Sequence, residues 1–389
     1  MRVVELEVRH VRVPLKKPIK HASHVRTETD NVVVRIKLGD GSTGYGEGVP
    51  RDYVTGETID SVIELLRKSD LGKQLKPAAD FAEAVKIAEQ IQLAPVPGDD
   101  RRCQGNAARC AVELAYLDAF GRAFGEPLIN VTKLLAPELY EPRKEVRYSG
   151  IIMGAKGLKA RIMGWAMYLY GFRQVKVKVG IAGHNDAKRL KIIRGRVGSK
   201  MDLRVDANEA WSPGEVAAKI RELEPFGISS VEQPVRHEDV AALADVRKQV
   251  KTPIMLDESL CSMVDAERAL QNGWCDLFNL RLSKCGGFIP SLRLAEFAKR
   301  NGLGYQLGCQ VGETAILSGA GRMFAASVKD IRFLEGSYDK HLITKNVSLE
   351  EISFRRGGRA PMLTGSGVGV AANPVLLDAI TVRKEMLIG

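Results

Sequence analysis

Apolar runs that end in a charged or amide side chain recur between residues 175 and 287. The charged endings are Lys178, Asp206, Glu232, Asp257 and Arg281, and successive endings lie 24 to 28 residues apart. A repeat of this length accommodates one strand, one helix and two short loops. The pattern therefore predicts strands that alternate with helices.

Similar runs continue on both sides of this repeat. The predicted strands cover residues 148–152, 174–179, 203–205, 229–231, 253–256, 276–282, 304–307 and 331–334. Helical patterns lie between them, for example at 186–194, 213–222, 241–248, 265–271 and 290–299. Eight strands that alternate with helices predict a parallel β/α barrel.

Residues before about 130 follow a different pattern. β-branched residues at 32–38 lead through Gly39-Asp40-Gly41 into a second run at 43–47, which predicts a β-hairpin. Helical patterns follow at 59–66, 81–91 and 106–124. These elements predict an α+β unit, and we expect the glycine-rich tail after residue 347 to leave the barrel and pack back on this unit.

The composition of the 389 residues, 45% hydrophobic and 27% charged, excludes disordered and fibrous proteins. No apolar run has the length of a membrane span and the first residues lack the core of a signal peptide, which predicts a cytoplasmic protein without a membrane partner. The 58 Lys and Arg exceed the 47 Asp and Glu, but no basic block interleaves with aromatic residues, so we predict no nucleic-acid partner. The six cysteines form no Cys-x-x-Cys pair, so neither a zinc site nor a disulfide framework is indicated.

The alternation of side chains along a strand tests whether the charged residues share the barrel interior. Lys176 and Lys178 lie on one face of their strand, opposite three valines. Asp206 and Asn208 share a face of the next strand, and Arg281 lies on the polar face of the sixth. These residues stand at the carboxyl ends of strands, where barrel active sites are found. We therefore predict that they form one site.

Three carboxylates, Asp206, Glu232 and Asp257, end consecutive strands and are expected to be neighbours. Their like charges would repel one another unless a hard cation lay between them, and oxygen ligands of this kind suit Mg²⁺ or Mn²⁺. The alternative is that each carboxylate caps a helix or pairs with a surface lysine. Three carboxylates in register beside two lysines favour the metal site.

Lys178 is the candidate general base. Partial burial, a metal ion and the neighbouring Lys176 would each lower its pKa and provide a neutral amine near pH 7. A base combined with a metal that stabilises an enolate can remove a proton from the carbon next to a carboxylate. The predicted substrate is therefore a small-molecule carboxylate.

Several short motifs occur together in this chain, and as a set they are specific. They are Lys176-Val177-Lys178, Asp206-Ala207-Asn208, Glu232-Gln233-Pro234, Leu256-Asp257-Glu258, Cys285-Gly286-Gly287, Gly312-Glu313-Thr314 and the segment 41–58. The set resembles the enolase superfamily, in particular its muconate lactonizing enzyme subgroup, over nearly the whole chain. The resemblance implies an α/β fold, a modified (β/α)8 TIM barrel over residues 131–355. An N-terminal α+β capping domain over residues 1–130, completed by the tail 356–389, would cover this barrel.

The resemblance also implies the roles of individual residues. Mg²⁺ would lie on Asp206, Glu232 and Asp257, with Lys178 as the base and Lys176 lowering its pKa. The loops at 21–27 and 50–57 would close over the substrate, and the protein would be a homo-oligomer, a dimer or an octamer. The predicted substrate contacts are Asn208, Tyr53, His24, Lys284, Glu313 and Glu335.

Arg281 departs from the family pattern. Muconate lactonizing enzymes and related epimerases carry a second lysine here, whereas an arginine is effectively never deprotonated and can offer only a fixed positive charge. Strand alternation places Arg281, rather than Lys284, inside the barrel. The eighth strand lacks the Asp-x-Asp of dipeptide epimerases and offers only Glu335. A base of the mandelate racemase kind is excluded, because no histidine lies between His237 and His341.

These features favour one-base chemistry, that is, a cycloisomerase or a syn-eliminating lyase. The alternative is a racemase or epimerase of an amino-acid derivative or dipeptide, which would require Lys284 to reach the site through a local bulge. Two hypotheses from other classes stay open. A Schiff-base aldolase would use Lys176 or Lys178 covalently, and a non-catalytic barrel would serve as a binding or structural protein.

Overall fold

The structure, a computed structural model that describes residues 1–20 and 25–389, begins with an antiparallel sheet. Strands β1 (Val3–Lys20), β2 (Val25–Leu38) and β3 (Thr43–Gly48) pair in this order, and the predicted hairpin joins the last two. The helices that follow are α1 (Asp52–Thr55), α2 (Ile59–Lys68), α3 (Leu71–Gln74), α4 (Phe81–Glu89), α5 (Asn106–Phe124) and α6 (Ile129–Leu135).

Strands and helices then alternate along the chain. The first elements are β4 (Glu145–Arg147), β5 (Gly150–Ile152), α7 (Gly157–Tyr170), β6 (Gln174–Lys178), α8 (Asp186–Val197), β7 (Asp202–Asp206), α9 (Val216–Leu223), β8 (Ile228–Glu232) and α10 (Leu243–Gln249). They are followed by β9 (Ile254–Leu256), α11 (Met263–Asn272), β10 (Leu277–Leu280), α12 (Phe288–Arg300), β11 (Gly304–Leu307), α13 (Ala315–Ser327), β12 (Ile331–Leu334) and α14 (Asp339–Leu342). Short 3₁₀ helices lie at Pro137–Leu139, Glu224–Phe226, His237–Ala242 and Arg356–Gly358.

Strands β5 to β12 form one parallel sheet in which each strand pairs with its neighbours in the sequence. Ser149, directly before β5, donates its backbone N–H to the carbonyl oxygen of Leu334 in β12 at 2.8 Å. This bond brings the first and last strands of the sheet together. The predicted barrel with an N-terminal capping domain is confirmed.

The C-terminal tail contacts both parts of the chain. Strand β13 (Arg359–Pro361) pairs antiparallel with β4 beside the barrel. After helix α15 (Pro374–Asp378), strand β14 (Thr381–Ile388) pairs antiparallel with β1 at the edge of the N-terminal sheet. The tail therefore links the barrel to the sheet that begins the chain.

Strand β10 is shorter than the pattern predicts. It ends at Leu280 rather than at residue 282. The chain then turns, because the N–H of Cys285 bonds to the carbonyl oxygen of Arg281 at 2.9 Å and the N–H of Gly287 bonds to that of Leu282 at 2.8 Å. The alternation of side chains that holds within a strand does not extend through this turn.

Strand β3 and helix α5 touch backbone to backbone. Every second residue of β3 is a glycine, and a Cβ added to Gly44, Gly46 or Gly48 would overlap backbone atoms of α5. Alternate residues of a strand face the same side, so the three glycines together form the surface on which the helix lies. This contact lies directly before the segment 50–57, which was predicted to be a loop but contains helix α1.

None of the helices within residues 1–20 and 25–389 is long and apolar enough to cross a membrane. The six cysteines are free thiols, and Cys309 is the one that is partly exposed among these described positions. The others are buried, as expected for small apolar residues.

We expect Gly46→Ala to destabilise the protein by about 1–3 kcal/mol, because a methyl group has no space between β3 and α5. The measurement is the midpoint of urea unfolding followed by circular dichroism. Gly195→Ala is the matched control, since Gly195 lies within α8 and a Cβ there meets nothing within 4 Å. The control should keep or slightly raise the midpoint, as alanine favours a helix. Equal destabilisation by both variants would contradict the packing argument.

Candidate active site

The Lys176 ammonium lies in a buried cluster of charges at the carboxyl ends of the barrel strands. Its Nζ lies 3.1 Å from Asp206 Oδ2, 3.2 Å from Glu232 Oε2 and 2.7 Å from Glu335 Oε1. Lys176 is only 2% exposed, and Asp206 and Glu232 are completely buried. One cation from β6 therefore contacts carboxylates that come from β7, from β8 and from the residue after β12.

Glu335 is held by two cations. Besides its contact with Lys176, its Oε1 lies 2.5 Å from Arg204 Nη2 on β7, while its Oε2 accepts from Lys176 at 2.8 Å. The Arg204 guanidinium also donates to Ser149 Oγ at 3.1 Å and lies 4.6 Å from the centre of the Phe333 ring. Both oxygens of Glu335 are therefore engaged inside the barrel.

Lys178, two residues after Lys176, is more accessible. Its side chain is 21% exposed, whereas that of Lys176 is 3% exposed. Lys178 Nζ lies 2.7 Å from Asp206 Oδ2 and also donates to Asn208 Oδ1. Asn208 in turn donates its backbone N–H to Asp206 Oδ1 at 3.0 Å. The structure thus brings these four predicted site residues together at the ends of β6 and β7.

Glu232, the last residue of β8, accepts hydrogen bonds from two interior amides. Asn279 Nδ2 lies 2.9 Å from Oε1, and Gln306 Nε2 lies 3.4 Å from Oε2. Both amides are completely buried. Together with Lys176 they fix the orientation of the Glu232 carboxylate.

Asp257, directly after β9, contacts Arg281 and Lys284. Arg281 Nη2 forms an ion pair with Oδ2, and Lys284 Nζ lies 2.9 Å from Oδ1. Lys284 also donates to the carbonyl oxygens of Asp257 and Asn279 at 2.6 and 2.9 Å. The prediction that strand alternation keeps Lys284 out of the interior is wrong, because β10 ends at Leu280 and the following turn directs this completely buried lysine inward.

Each charged group in the cluster shifts the pKa of its neighbours. Burial would lower the pKa of Lys176, but the Glu232, Glu335 and Asp206 carboxylates hold it well above its usual range. Burial would likewise raise the pKa of Asp206, yet Lys178 and Lys176 lower it. The pKa of Glu335 falls to about 2, because Lys176 and Arg204 outweigh its burial. Burial and the neighbouring Asp206 raise the pKa of Glu232 to about 7.

Asp206, Glu232 and Asp257 fit a divalent metal ion in their chemistry but do not form a preformed ligand set. Within residues 1–20 and 25–389, no group of three or more His, Cys, Asp and Glu side chains is arranged to hold a metal ion. The carboxylates instead contact cations of the chain: Lys176 joins Asp206 to Glu232, and Arg281, 3.8 Å from Glu232, joins Glu232 to Asp257. These shared contacts keep the three carboxylates adjacent. Their oxygens are ligands that Mg²⁺ prefers.

Glu313 lines a small cavity beside the cluster, together with Cys309 and Glu335. Its Oε1 accepts the backbone N–H of Gln310 at 2.6 Å. Burial raises the pKa of Glu313 to about 8, so this carboxyl group is mostly protonated at neutral pH. Gln310 also accepts a hydrogen bond from Arg281 at 3.3 Å, which connects this loop to the cluster.

The capping domain contacts the same loop through Glu47, in β3. The Glu47 carboxylate accepts from Thr314 Oγ1 at 2.7 Å and from the backbone N–H groups of Thr314 and Leu317 at 2.9 and 3.0 Å. Asn31 Nδ2 donates to it at 2.7 Å. Glu47 therefore caps the start of α13 and fixes the loop that carries Glu313.

The two cap residues predicted to contact the substrate have different outcomes. Tyr53 lies in α1 and packs against Val54, Cys103 and Cys261. Since Cys261 follows Asp257 by four residues, this packing brings α1 to the rim of the site. His24 lies outside the described residues, so its contact with a substrate stays a prediction.

Three interior partners of the cluster, Arg204, Asn279 and Gln306, are not among the predicted site residues. Arg204 and Asn279 lie on the polar faces of β7 and β10, so strand alternation is the signal that could identify them. Gln306 is a buried amide within β11, and its polar side chain in an apolar run is the corresponding signal. Glu47 lies in the segment 41–58, which the motif set includes. Its contact with Thr314 joins residues 267 positions apart, so a local motif does not reveal it.

A β/α barrel beneath an α+β cap, with paired lysines on one strand and carboxylates at the ends of the next three, defines an enolase-type enzyme. The chain belongs to the enolase superfamily. Residues 3–134 match the family described as mandelate racemase / muconate lactonizing enzyme, N-terminal domain, and residues 163–375 match the family described as enolase C-terminal domain-like. The resemblance stated from the motifs is confirmed.

Similar proteins of named activity are isomerases. The chain is 33% identical to an L-Ala-D/L-Glu epimerase of Bacillus subtilis over 340 residues, which cover 85% of this chain and 87% of the relative. It is 27% identical to an N-succinyl-L-Arg/Lys racemase of Bacillus cereus, and the match covers 100% of both chains.

Solved structures agree with these relatives. The N-succinyl Arg/Lys racemase of Bacillus cereus superposes with a TM-score of 0.85 at 26% identity, covering 99% of this chain and 100% of that chain. A dipeptide epimerase of Cytophaga hutchinsonii, complexed with Mg and the dipeptide D-Ala-L-Val, superposes with a TM-score of 0.84 at 26% identity over 100% of both chains. The fold is therefore shared along the whole chain.

We expect Glu335→Gln to lower the free energy of unfolding by about 3–5 kcal/mol at neutral pH, since it leaves Lys176 and Arg204 without their shared counter-charge. The folded-state pKa of Glu335 is depressed from 4.5 to about 2. Its contribution is therefore complete above the unfolded pKa and is lost as the pH falls through this range. The measurement is urea unfolding of both proteins at several pH values between about 3 and about 7.

The control for this prediction is Glu351→Gln, because Glu351 forms an exposed pair with Lys340. Such a pair contributes about 0–1 kcal/mol, so the control should unfold almost as the wild type does. The difference between wild type and Glu335→Gln should narrow toward the acid end. A difference that stays constant from neutral to acid pH would show that Glu335 does not act through its charge.

Proposed function

We propose that this chain is a Mg²⁺-dependent racemase or epimerase that removes and returns the α-proton of an N-acylated amino acid, with Lys178 as the base. The observation that carries the proposal is the position of Lys178 Nζ, partly exposed at the carboxyl end of β6 and 2.7 Å from Asp206. An amine placed there can accept a proton from a substrate bound beside the carboxylates.

The other two lysines of the cluster are poorly suited to this role. Lys176 is buried and its Nζ is surrounded by three carboxylates. Lys284 is completely buried, and its Nζ donates to two carbonyl oxygens and to Asp257 Oδ1. Lys178 is therefore the lysine of the three that a substrate can reach. Lys176 instead acts as the counter-ion that aligns Asp206 and Glu232.

Asp206, Glu232 and Asp257 are the residues that would hold Mg²⁺. When bound, the ion supplies positive charge that stabilises an enolate. Support comes from the donor chemistry of the three carboxylates and from the similar dipeptide epimerase of Cytophaga hutchinsonii, which is complexed with Mg. The chain contributes the alignment of these carboxylates through Lys176, Asn279 and Lys284.

An acylated nitrogen in the substrate fits the site better than a free ammonium group. A buried ammonium requires a carboxylate partner, and both oxygens of Glu335 are engaged by Lys176 and Arg204. Glu313 is mostly uncharged at neutral pH, because burial raises its pKa to about 8. An amide nitrogen, as in an N-succinyl amino acid, needs no such partner.

The relatives favour isomerisation at the α-carbon over the cycloisomerase or lyase chemistry that the sequence favours first. The similar proteins described above are epimerases and a racemase of amino-acid derivatives and dipeptides. Their names match the alternative stated from the sequence. The expected substrate is accordingly a small-molecule carboxylate with a nitrogen on its α-carbon.

One-base chemistry, such as ring closure or syn elimination of water, is the second candidate, and Arg281 favours it. Burial would lower the pKa of Arg281, but Asp257, Glu258 and Glu232 hold it well above its usual range. The guanidinium therefore stays charged and cannot accept a proton. The second proton transfer of a racemase would then fall to Lys284, which lies inside the barrel with its Nζ engaged by Asp257 Oδ1 and two carbonyl oxygens.

The remaining expectations stay predictions. They are the dimer or octamer, the cytoplasmic location, and the domain limits 1–130 with 356–389 and 131–355. A Schiff-base aldolase would be trapped by borohydride in the presence of substrate regardless of EDTA. A non-catalytic barrel would bind no Mg²⁺ in a calorimetric titration.

We expect Lys178→Met to slow exchange of the substrate α-proton by about 10²–10⁴-fold, the usual contribution of a general base. Proton NMR in deuterated water, with saturating Mg²⁺ and N-succinyl-L-arginine, measures the exchange. The affinity for Mg²⁺ should change little. Lys191→Met is the control, since Lys191 is an exposed residue of α8. Undiminished exchange in Lys178→Met would remove Lys178 from the mechanism.

We expect wild-type enzyme to exchange the α-proton of one enantiomer faster than that of the other, because Arg281 cannot act as a base. Arg281→Lys should raise exchange of the slower enantiomer by about tenfold or more, since a lysine can titrate. Arg281→Gln is the control that removes the charge without adding a base. Equal exchange of both enantiomers by the wild type would contradict the argument from Arg281.

A further inference from the structure

A cavity of about 260 Å³ opens at the amino-terminal end of the barrel. Its walls come from β4, from the start of β6 and the residue before it, and from β12. Lys178 and the carboxylates lie at the carboxyl ends of the same strands, so the cavity is on the opposite side of the barrel. The arginines that line it within the described chain are Arg143, Arg147, Arg173 and Arg332.

Of these four arginines, Arg143 has a carboxylate partner in the described chain. Glu145, the acidic residue in its wall, is paired with Arg359 through both oxygens at 2.9 Å. Arg143 is paired with Glu141 at 2.9 Å. In residues 1–20 and 25–389, Arg147 and Arg173 have neither a side-chain hydrogen bond nor an ion pair. The cavity therefore has an excess of positive charge.

Arg332 has only weak contacts with the protein. It makes one long hydrogen bond, 3.4 Å, to the carbonyl oxygen of Ser229 and lies 5.2 Å from the centre of the Phe333 ring. Like charges around one concave space repel one another, and a bound anion removes this repulsion. Among the described residues that line the cavity, the acidic side chain is Glu145, and Arg359 already pairs with it.

We propose that this cavity is a binding site for a compact phosphorylated anion. The planar guanidinium group presents paired N–H donors that match phosphate oxygens, which is why arginine is favoured at phosphate sites. The volume is near the lower end for small-molecule sites, about 300–1,000 Å³, and suits a sugar bisphosphate better than a nucleotide. The site is distinct from the catalytic cluster, so its test does not depend on the reaction at Lys178.

The experiment is a calorimetric titration of the Mg²⁺-loaded enzyme with fructose 1,6-bisphosphate at fixed ionic strength, with Mg²⁺ in excess of the probe. We expect saturable binding to the wild type. The double variant Arg147→Gln, Arg173→Gln should bind the probe at least tenfold more weakly. Neither arginine has a side-chain partner in the described structure, so the variant should fold and keep the wild-type rate of α-proton exchange.

The control is Lys159→Gln, Arg161→Gln, which removes the same charge from exposed positions of α7. It should bind the bisphosphate within about twofold of the wild type. Citrate, an anion of similar charge without phosphate, should bind at least tenfold more weakly than the bisphosphate. The proposal is overturned by a lack of saturable binding, by equal binding of citrate, or by equal affinity of the wild type and the cavity variant.

Discussion

The buried ammonium of Lys176 is the constraint on which the site depends. An unpaired charge inside a protein costs several kcal/mol, so Asp206, Glu232 and Glu335 can be buried together only with a cation between them. Lys176 contacts all three, and they come from different strands. The barrel can therefore close correctly only when the charges in the site are paired. A strand out of register would expose one of these charges or leave it without a partner.

The alternation of apolar and polar residues predicted where the strands lie. In strands that stay regular to their last residue, it also predicted which side chains face the barrel interior. Lys176, Lys178 and Asp206 lie together as their spacing requires, because alternation holds in β6 and β7 up to the last residue. The alternation gave the wrong orientation for Lys284. Strand β10 ends at Leu280, and the alternation of residues after it does not reveal that the chain has already turned. Helix bounds such as those of α5 were predicted well, since glycine or polar residues flank a long periodic segment.

Contacts between distant segments were beyond the reach of the local pattern. Glu335 and Arg204 are 131 residues apart, and Glu47 and Thr314 are 267 residues apart. Only the closed fold determines that the members of each pair meet. The same limit applies to the reaction. The removal of a proton by Lys178 is inferred from residue types. The product formed from the enolate depends on which side chain lies on the face opposite Lys178.

The glycine surface of β3 limits how the capping domain can be rearranged. Where a strand and a helix touch through their backbones, no side chain can be enlarged or trimmed to shift one against the other. The position of α5 on the sheet within the capping domain is therefore not adjustable by gradual substitution at this contact. This rigid contact holds β3 in place, and so keeps the Glu47 carboxylate on Thr314 and Leu317 at the start of α13.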